Sequence, residues 1–259
     1  MLPNSPTLSR RTLTGATLTV AILLGVGLGL ALGLPSEVQP PPPSSAEAQV
    51  QTRKVAAFHG LSFTRRDGNS HGVQIMVRSG DEQQLAVVAL PGQHQSVQTR
   101  VIDGILYIQL DRDMRDNGDL RIQIATPRLR SIRMDGVSSV QINGGLRMAS
   151  VRLEASRGAQ ITARRLGTRQ LNVTVLRGGR IMIAGHTGLL RARASSGVIE
   201  ARDLEAEVAQ VSSVERSRVE VYVLDRLEAY ARDRASILYR TMPRRVLRDL
   251  DGSSRLQML

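Results

Sequence analysis

The chain has 259 residues, a formal net charge of +12 and 41% hydrophobic residues. It contains no cysteine, which excludes disulfides, thiolate metal sites and thiol catalysis. Two phenylalanines, four tyrosines and no tryptophan are too few for an aromatic platform that binds single-stranded nucleic acid, so we expect no nucleic-acid partner.

The first predicted element is an apolar segment. Residues 12–34 contain no charged side chain and directly follow Arg10 and Arg11. A helix needs about 20 such residues to cross a bilayer, so the segment predicts export. Two alternatives remain open, namely a membrane anchor and a signal peptide cleaved near Ala46-Glu47-Ala48. We assign residues 1–34 as signal peptide or membrane anchor, and expect the protein in the periplasm or cell envelope, held at the inner membrane if this segment is uncleaved.

A proline-rich linker follows. Residues 35–55 contain the run Pro40–Pro43 and then small polar residues. Such a run is stiff and extended, and we expect residues 35–55 to form a disordered spacer.

Residues 56–128 alternate between short apolar strands and turn signals such as Asp103-Gly104 and Pro91-Gly92. We expect these strands to form either the first, wider coils of the domain or a small sheet that caps it.

From about residue 130 the chain repeats itself. One set of alternating apolar pairs begins at Ile132, Val151, Leu171, Leu190, Ala209 and Leu227, and an interleaved set begins at Val140, Ile161, Ile181, Ile199, Val219 and Ile237. Short alternating strands at a fixed period of 18–21 residues, joined by small residues, are typical of a solenoid. The thin interior of such coils explains the scarcity of aromatics. The fold class is therefore all-β, a parallel β-helix, and the parallel coiling predicts a right-handed one.

The repeat resembles the DUF2807 family, described as a putative auto-transporter adhesin head domain (head GIN domain). The residues that carry the resemblance are Pro127, Leu129, Asp135-Gly136-Val137-Ser138-Ser139-Val140 and small pairs such as Arg157-Gly158-Ala159. It covers residues 56–242 and departs from the family pattern at Ser217-Arg218. The resemblance implies an exported right-handed parallel β-helix, and it brings no catalytic residues. Residues 243–259 are expected to be a partial coil or tail.

The positive charge is concentrated in residues 130–199, which hold 12 arginines and two acids. Strand alternation predicts one outward column of Arg133, Arg152, Asn172, Arg191, Gln210 and Glu228, and a neighbouring column that begins with Asp135, Glu154, Thr174 and Arg193. Arginines at the predicted corners have no acid near them in sequence. Arginine binds phosphate and carboxylate in a bidentate way, so a polyanion-binding surface is one interpretation. The other is a face that is charged only to keep it soluble. The candidate residues are Arg133, Arg152, Arg157, Arg164, Arg165, Arg177, Arg180, Arg191 and Arg193.

No motif for catalysis, metal binding or a cofactor is present. The four histidines are too far apart in sequence for a zinc motif, and the alternating acids Asp203, Glu205 and Glu207 are better interpreted as a solvated turn. We therefore predict no catalytic residue, no metal and no cofactor. The favoured function is a non-catalytic, envelope-associated binding or adhesin-like module for anionic polysaccharide or lipopolysaccharide. The alternative is a structural or sensory module that binds an envelope protein, and a carbohydrate-active β-helix enzyme comes third.

Overall fold

The described part of the computed structural model comprises residues 48–65, 73–111, 120–144 and 147–259. Over these ranges, seventeen β-strands belong to one continuous sheet, and a 3-10 helix at His94–Ser96 is the sole helix. The described part of the protein is thus all-β, as predicted. The apolar segment 12–34 lies outside the described residues, and the described residues contain no helix long and apolar enough to cross a membrane.

The second half of the chain winds as a parallel solenoid. Its strands are β8 Ser131–Asp135, β9 Ser139–Asn143, β10 Arg147–Ser156, β11 Gln160–Leu176, β12 Arg180–Ser195, β13 Val198–Val214, β14 Arg218–Ala231, β15 Ser236–Tyr239, β16 Arg245–Leu250 and β17 Arg255–Met258. Each pairs in parallel with the strand one coil away. Partner residues such as Val173 and Ala192, or Val140 and Ile161, are 18–21 positions apart, which confirms the predicted period.

The long strands bend and so contribute to three faces. The first face comprises β8, residues 151–156, 171–176, 190–195, 209–214 and 227–231, and β16. The second face comprises β9, residues 160–163, 180–183, 198–201 and 218–221, β15 and β17. The third face comprises residues 147–150, 166–170, 185–189, 204–208 and 222–226.

Aliphatic columns fill the interior of the coils. On the second face one column consists of Val140, Ile161, Ile181, Ile199, Val219 and Ile237, all of them buried. Parallel strands lie about 4.8 Å apart, so each side chain packs on its counterpart in the next coil. This confirms the interior predicted from the interleaved repeat.

On the first face, the pairing of β8 with β10 differs from the sequence prediction. Ile132 was expected to stack on Val151, but it pairs with Leu153, and Met134 pairs with Ala155. A shift of two residues keeps every side chain on the same side of a strand, so the apolar alternation could not distinguish the two registers. As a consequence, Arg133 lies opposite Glu154 rather than opposite Arg152.

The N-terminal strands stack out of chain order. They are β1 Gln49–Thr52, β2 Gly60–Arg65, β3 Gln74–Ser79, β4 Gln84–Ala89, β5 Val97–Ile102, β6 Ile105–Leu110 and β7 Arg121–Thr126. Strand β2 lies between β6 and β8, and β3 lies between β7 and β9, all in parallel.

Beyond these coils, β5 and β4 pair antiparallel with β6 and β7, and β1 pairs antiparallel with β4. The sequence left extra coils and a capping sheet as alternatives, and this end of the solenoid contains both. Strand β1 lies inside the segment 35–55, which was expected to be a disordered linker. Pairing with β4 in the capping sheet orders residues 49–52.

Candidate functional site

The first face presents two columns of outward side chains. One column runs Arg152, Asn172, Arg191, Gln210, Glu228, Leu247, and the other runs Arg133, Glu154, Thr174, Arg193, Ser212, Tyr230, Asp249. The sequence prediction placed Arg133 in the first of these columns and Asp135 in the second. Asp135 instead pairs with Ser156.

The nine arginines predicted as a polyanion site occupy four different places. Arg133, Arg152, Arg191 and Arg193 lie on the first face. The corner after that face holds Arg157 and Arg177, the second face holds Arg180, and the corner after the second face holds Arg164 and Arg165. The solenoid therefore brings only the first four onto one face.

Several of these arginines have acidic partners one coil away. Arg133 lies 3.0 Å from Glu154. Arg157 forms an ion pair with Asp135, and Arg180 forms one with Glu200. The sequence prediction considered only acids nearby in sequence, whereas stacking brings Arg157 and Arg180 beside acids about 20 positions away.

Arg157 also controls the ionisation of Asp135. Partial burial alone would raise the pKa of Asp135, but hydrogen bonds from Arg157 and Ser156 and the charges of Arg157 and Arg177 outweigh burial and lower it. Asp135 therefore remains ionised, and its negative charge compensates the positive charge of Arg157 at this corner.

Arg152 and Arg193 have a different environment. Arg152 stacks between Ser131 and Asn172. Arg193 stacks between Thr174 and Ser212. Both side chains are exposed, and neither has an acidic partner among the residues that the structure describes. They are cations with uncharged neighbours in their own columns.

A groove of about 390 Å³ lies on the same face, towards the last coils. It is lined by Arg191, Ala192, Arg193, Gln210, Val211, Ser212, Glu228, Ala229, Tyr230, Leu247, Arg248 and Asp249. Sequence reasoning proposed only Arg191 and Arg193 among these residues. The same alternation that placed Leu227, Ala229 and Ala231 inside could have placed Tyr230 outside, but nothing in the pattern indicates a groove.

One wall of the groove is a fixed polar ladder. Nε of Arg191 donates to Oε1 of Gln210 at 3.0 Å, and Nε2 of Gln210 donates to Oε2 of Glu228 at 2.9 Å. Arg226 lies 3.1 Å from the other oxygen of Glu228. The amide of Gln210 is thereby oriented, and Arg191 and Glu228 are held in place on either side of it.

The aromatic ring of the groove is also held in place. The guanidinium of Arg232 lies 4.4 Å from the ring centre of Tyr230. Arg232 in turn donates to the side chain of Asp249 at 2.6 Å and to its carbonyl at 2.9 Å. Tyr230 lines the groove, and its ring is held by Arg232, which is itself fixed by Asp249.

Two of the three acids considered for catalysis or metal binding, Asp203 and Glu205, lie near basic groups. Asp203 lies 3.4 Å from Arg240, and Glu205 lies 3.8 Å from His186. Glu220 is buried beside Arg218 at 2.7 Å. Among the described residues, no group of three potential ligands is close enough to hold a metal ion.

These features define a β-solenoid with a charged, grooved outer face. A family model described as "Putative auto-transporter adhesin, head GIN domain" matches residues 68–243. The chain belongs to this family, DUF2807, which confirms the resemblance seen in the sequence.

Solved structures share the fold. A protein of Bacteroides fragilis that is named as an adhesin has 20% sequence identity to this chain and a TM-score of 0.75. The match covers 83% of this chain and 98% of that chain. A protein of Parabacteroides distasonis named as a lipid binding protein has 16% identity and a TM-score of 0.63, with 83% and 98% covered. A Parabacteroides merdae protein named as an adhesin has 12% identity and a TM-score of 0.62, with 83% and 97% covered. No curated protein matches the chain.

Proposed function

We propose that this protein is an exported, non-catalytic binding module of the cell envelope that holds anionic polymers on its first face. The observation that carries the proposal is the pair Arg152 and Arg193, which are exposed cations without acidic partners among the described residues. Planar guanidinium groups bind carboxylate and phosphate in a bidentate way. Anionic polysaccharide and the phosphates of lipopolysaccharide are the ligands of this chemistry outside the cytoplasm.

The family and the solved relatives support a binding role, since the family is described as an adhesin head domain and the relatives are named as adhesins or as a lipid binding protein. Within this proposal, residues 1–34 are the signal peptide or membrane anchor, the part of the 35–55 segment that precedes β1 links it to the domain, and residues 56–242 form a right-handed β-helix. Residues 243–259 extend the domain with β16 and β17. Of the remaining candidates, Arg164, Arg165 and Arg177 would act only as a surrounding positive field, whereas Arg157 and Arg180 are paired with Asp135 and Glu200.

The test is a binding titration with lipopolysaccharide and with an acidic polysaccharide at several salt concentrations. We expect the double variant Arg152→Ala/Arg193→Ala to lower affinity about tenfold, the effect of losing roughly 1.4 kcal/mol of contact energy. Added salt should weaken binding of the unmodified protein, since exposed charges are screened beyond about 8 Å at physiological ionic strength.

The matched control is Arg147→Ala/Arg169→Ala, which removes the same charge from exposed positions of the third face. Equal loss in both double variants would mean that only the net charge matters and would refute the assignment to the first face. Absence of binding at low salt would refute the proposed function itself.

A protein partner is the second candidate function, and the last coil favours it. Among the described strands, β16 pairs only with β14, and β17 pairs only with β15. Met242, Leu247, Met258 and Leu259 are exposed there. Open strand edges with apolar side chains are sites where another chain can add. If a partner binds here, deletion of residues 243–259 should change the oligomeric state on size exclusion and leave intact the lipopolysaccharide binding that depends on Arg152 and Arg193.

A further inference from the structure

The groove on the first face presents different polar groups at its two ends. Arg191 and Arg193 lie at one end, and Glu228 and Asp249 lie at the other. Glu228 is held by Gln210 and Arg226, and Asp249 is held by Arg232. Each carboxylate is paired with an arginine and Arg248 also lines this end, so the carboxylate oxygens are acceptors for hydroxyl groups without a net negative charge around them. The groove is therefore matched to a ligand with one anionic group at one end and hydroxyl donors at the other.

The last two coils add an exposed ring and an aliphatic side chain to the groove. Tyr230 is 41% exposed and lines the groove, and Arg232 lies over its ring at 4.4 Å from the ring centre. Leu247, 60% exposed, lines the groove one coil further along. A ring and an aliphatic side chain at the floor of a polar groove can pack against the C–H face of a pyranose, while the surrounding polar groups bind its substituents.

Spacing along the column fits one sugar unit. Arg193, Ser212 and Tyr230 occupy consecutive coils of the same outward column. Strand spacing places the backbone of Arg193 about 9.6 Å from that of Tyr230, which is two steps of about 4.8 Å. The short side chain of Ser212 leaves the space between them open. A sugar ring that lies on Tyr230 therefore places a substituent carboxylate within reach of the long Arg193 side chain.

We propose that this groove binds a hexuronate unit of an acidic polysaccharide. The carboxylate pairs with Arg193, the sugar ring packs on Tyr230, and hydroxyl groups donate to Glu228 and Asp249. The inference rests on the proposed function, because it names the class of polymer that the first face selects.

The experiment measures the affinity of the protein for tetragalacturonate, for its methyl ester and for inorganic polyphosphate. We expect Tyr230→Ala to weaken tetragalacturonate binding about tenfold, while Tyr230→Phe stays within about threefold, which corresponds to less than 1 kcal/mol. Polyphosphate binding should not change in either variant, and the methyl ester should bind about tenfold more weakly than the acid because it cannot pair with Arg193.

The matched control is Tyr222→Ala on the third face, where Arg240 lies 5.5 Å from the ring centre in a similar arrangement. It should leave all three affinities unchanged. The hexuronate inference is overturned if Tyr230→Ala binds tetragalacturonate normally, if the ester binds as well as the acid, or if Tyr230→Ala weakens polyphosphate equally. In those cases lipopolysaccharide binding that still depends on Arg152 and Arg193 leaves the proposed function intact. Failure of every anionic probe to bind overturns both.

Discussion

Replacement of Leu171 by alanine tests the inward columns that the fold depends on. Leu171 is fully buried and stacks between Val151 and Leu190. The substitution removes three carbon groups, each of which contributes about 0.8 kcal/mol when buried, or about 2.4 kcal/mol together. The cavity that remains raises the expected loss of unfolding free energy to about 3–4 kcal/mol.

The solenoid architecture determines how much the cavity adds to the loss of unfolding free energy. In a solenoid each coil contacts only its neighbours, so a gap at Leu171 can be closed only by movement of the coils that carry Val151 and Leu190. Those coils are tied by continuous parallel ladders on both sides. Little relaxation is expected, so most of the cavity contribution to the loss of unfolding free energy should remain.

The assay is a urea titration followed by the β-sheet signal in far-ultraviolet circular dichroism. Asn172→Ala is the matched control, since the next residue on the same strand points outward between Arg152 and Arg191. It should cost less than about 1 kcal/mol. If Leu171→Ala costs no more than Asn172→Ala, the side chain of Leu171 does not pack in the interior and the column assignment is wrong.

Two further perturbations test the corners. Gly185 has φ +134, and an added Cβ would overlap the backbone of Leu166, so Gly185→Ala should lower the free energy of unfolding by more than about 2 kcal/mol. Gly92→Ala, whose Cβ would meet nothing within 4 Å, should have almost no effect, and equal effects would contradict the close approach of coils. Carboxyl NMR should give Asp135 a pKa below the unfolded value of about 3.9, because the bonds from Arg157 and Ser156 outweigh burial. The stabilisation by Asp135 is then present above the unfolded pKa and is lost as the pH falls through the lower folded pKa. Arg157→Ala should raise the Asp135 pKa, and an unchanged value would exclude the ion pair.

Much of the fold is determined by local alternation. The two-residue alternation around Ile161, Ile181 and Ile199 indicates which side chains face inward. The distance in sequence between these three residues indicates that successive coils stack on one another. Both follow from strand geometry alone, which is why the solenoid and its parallel register could be predicted from the sequence. The concentration of arginine in residues 130–199 likewise needs no structure.

The register of the first coil and the order of the N-terminal strands depend on tertiary packing. Pairing of Ile132 with Leu153 or with Val151 satisfies the alternation equally, and only the fit of whole coils selects the first. Insertion of β2 between β6 and β8 joins strands distant in sequence, so no local pattern could predict it.

The candidate site illustrates the same division. The sequence by itself determined that Arg191 and Arg193 point outward from a β-helix. Only the tertiary structure decided that Arg157 and Arg180 are neutralised by Asp135 and Glu200. It also decided that Tyr230 and Asp249 complete a groove beside Arg193. The physical reason is that side-chain direction follows from the local two-residue period of a strand, whereas a side chain's neighbours are set by the stacking of coils about 20 residues apart.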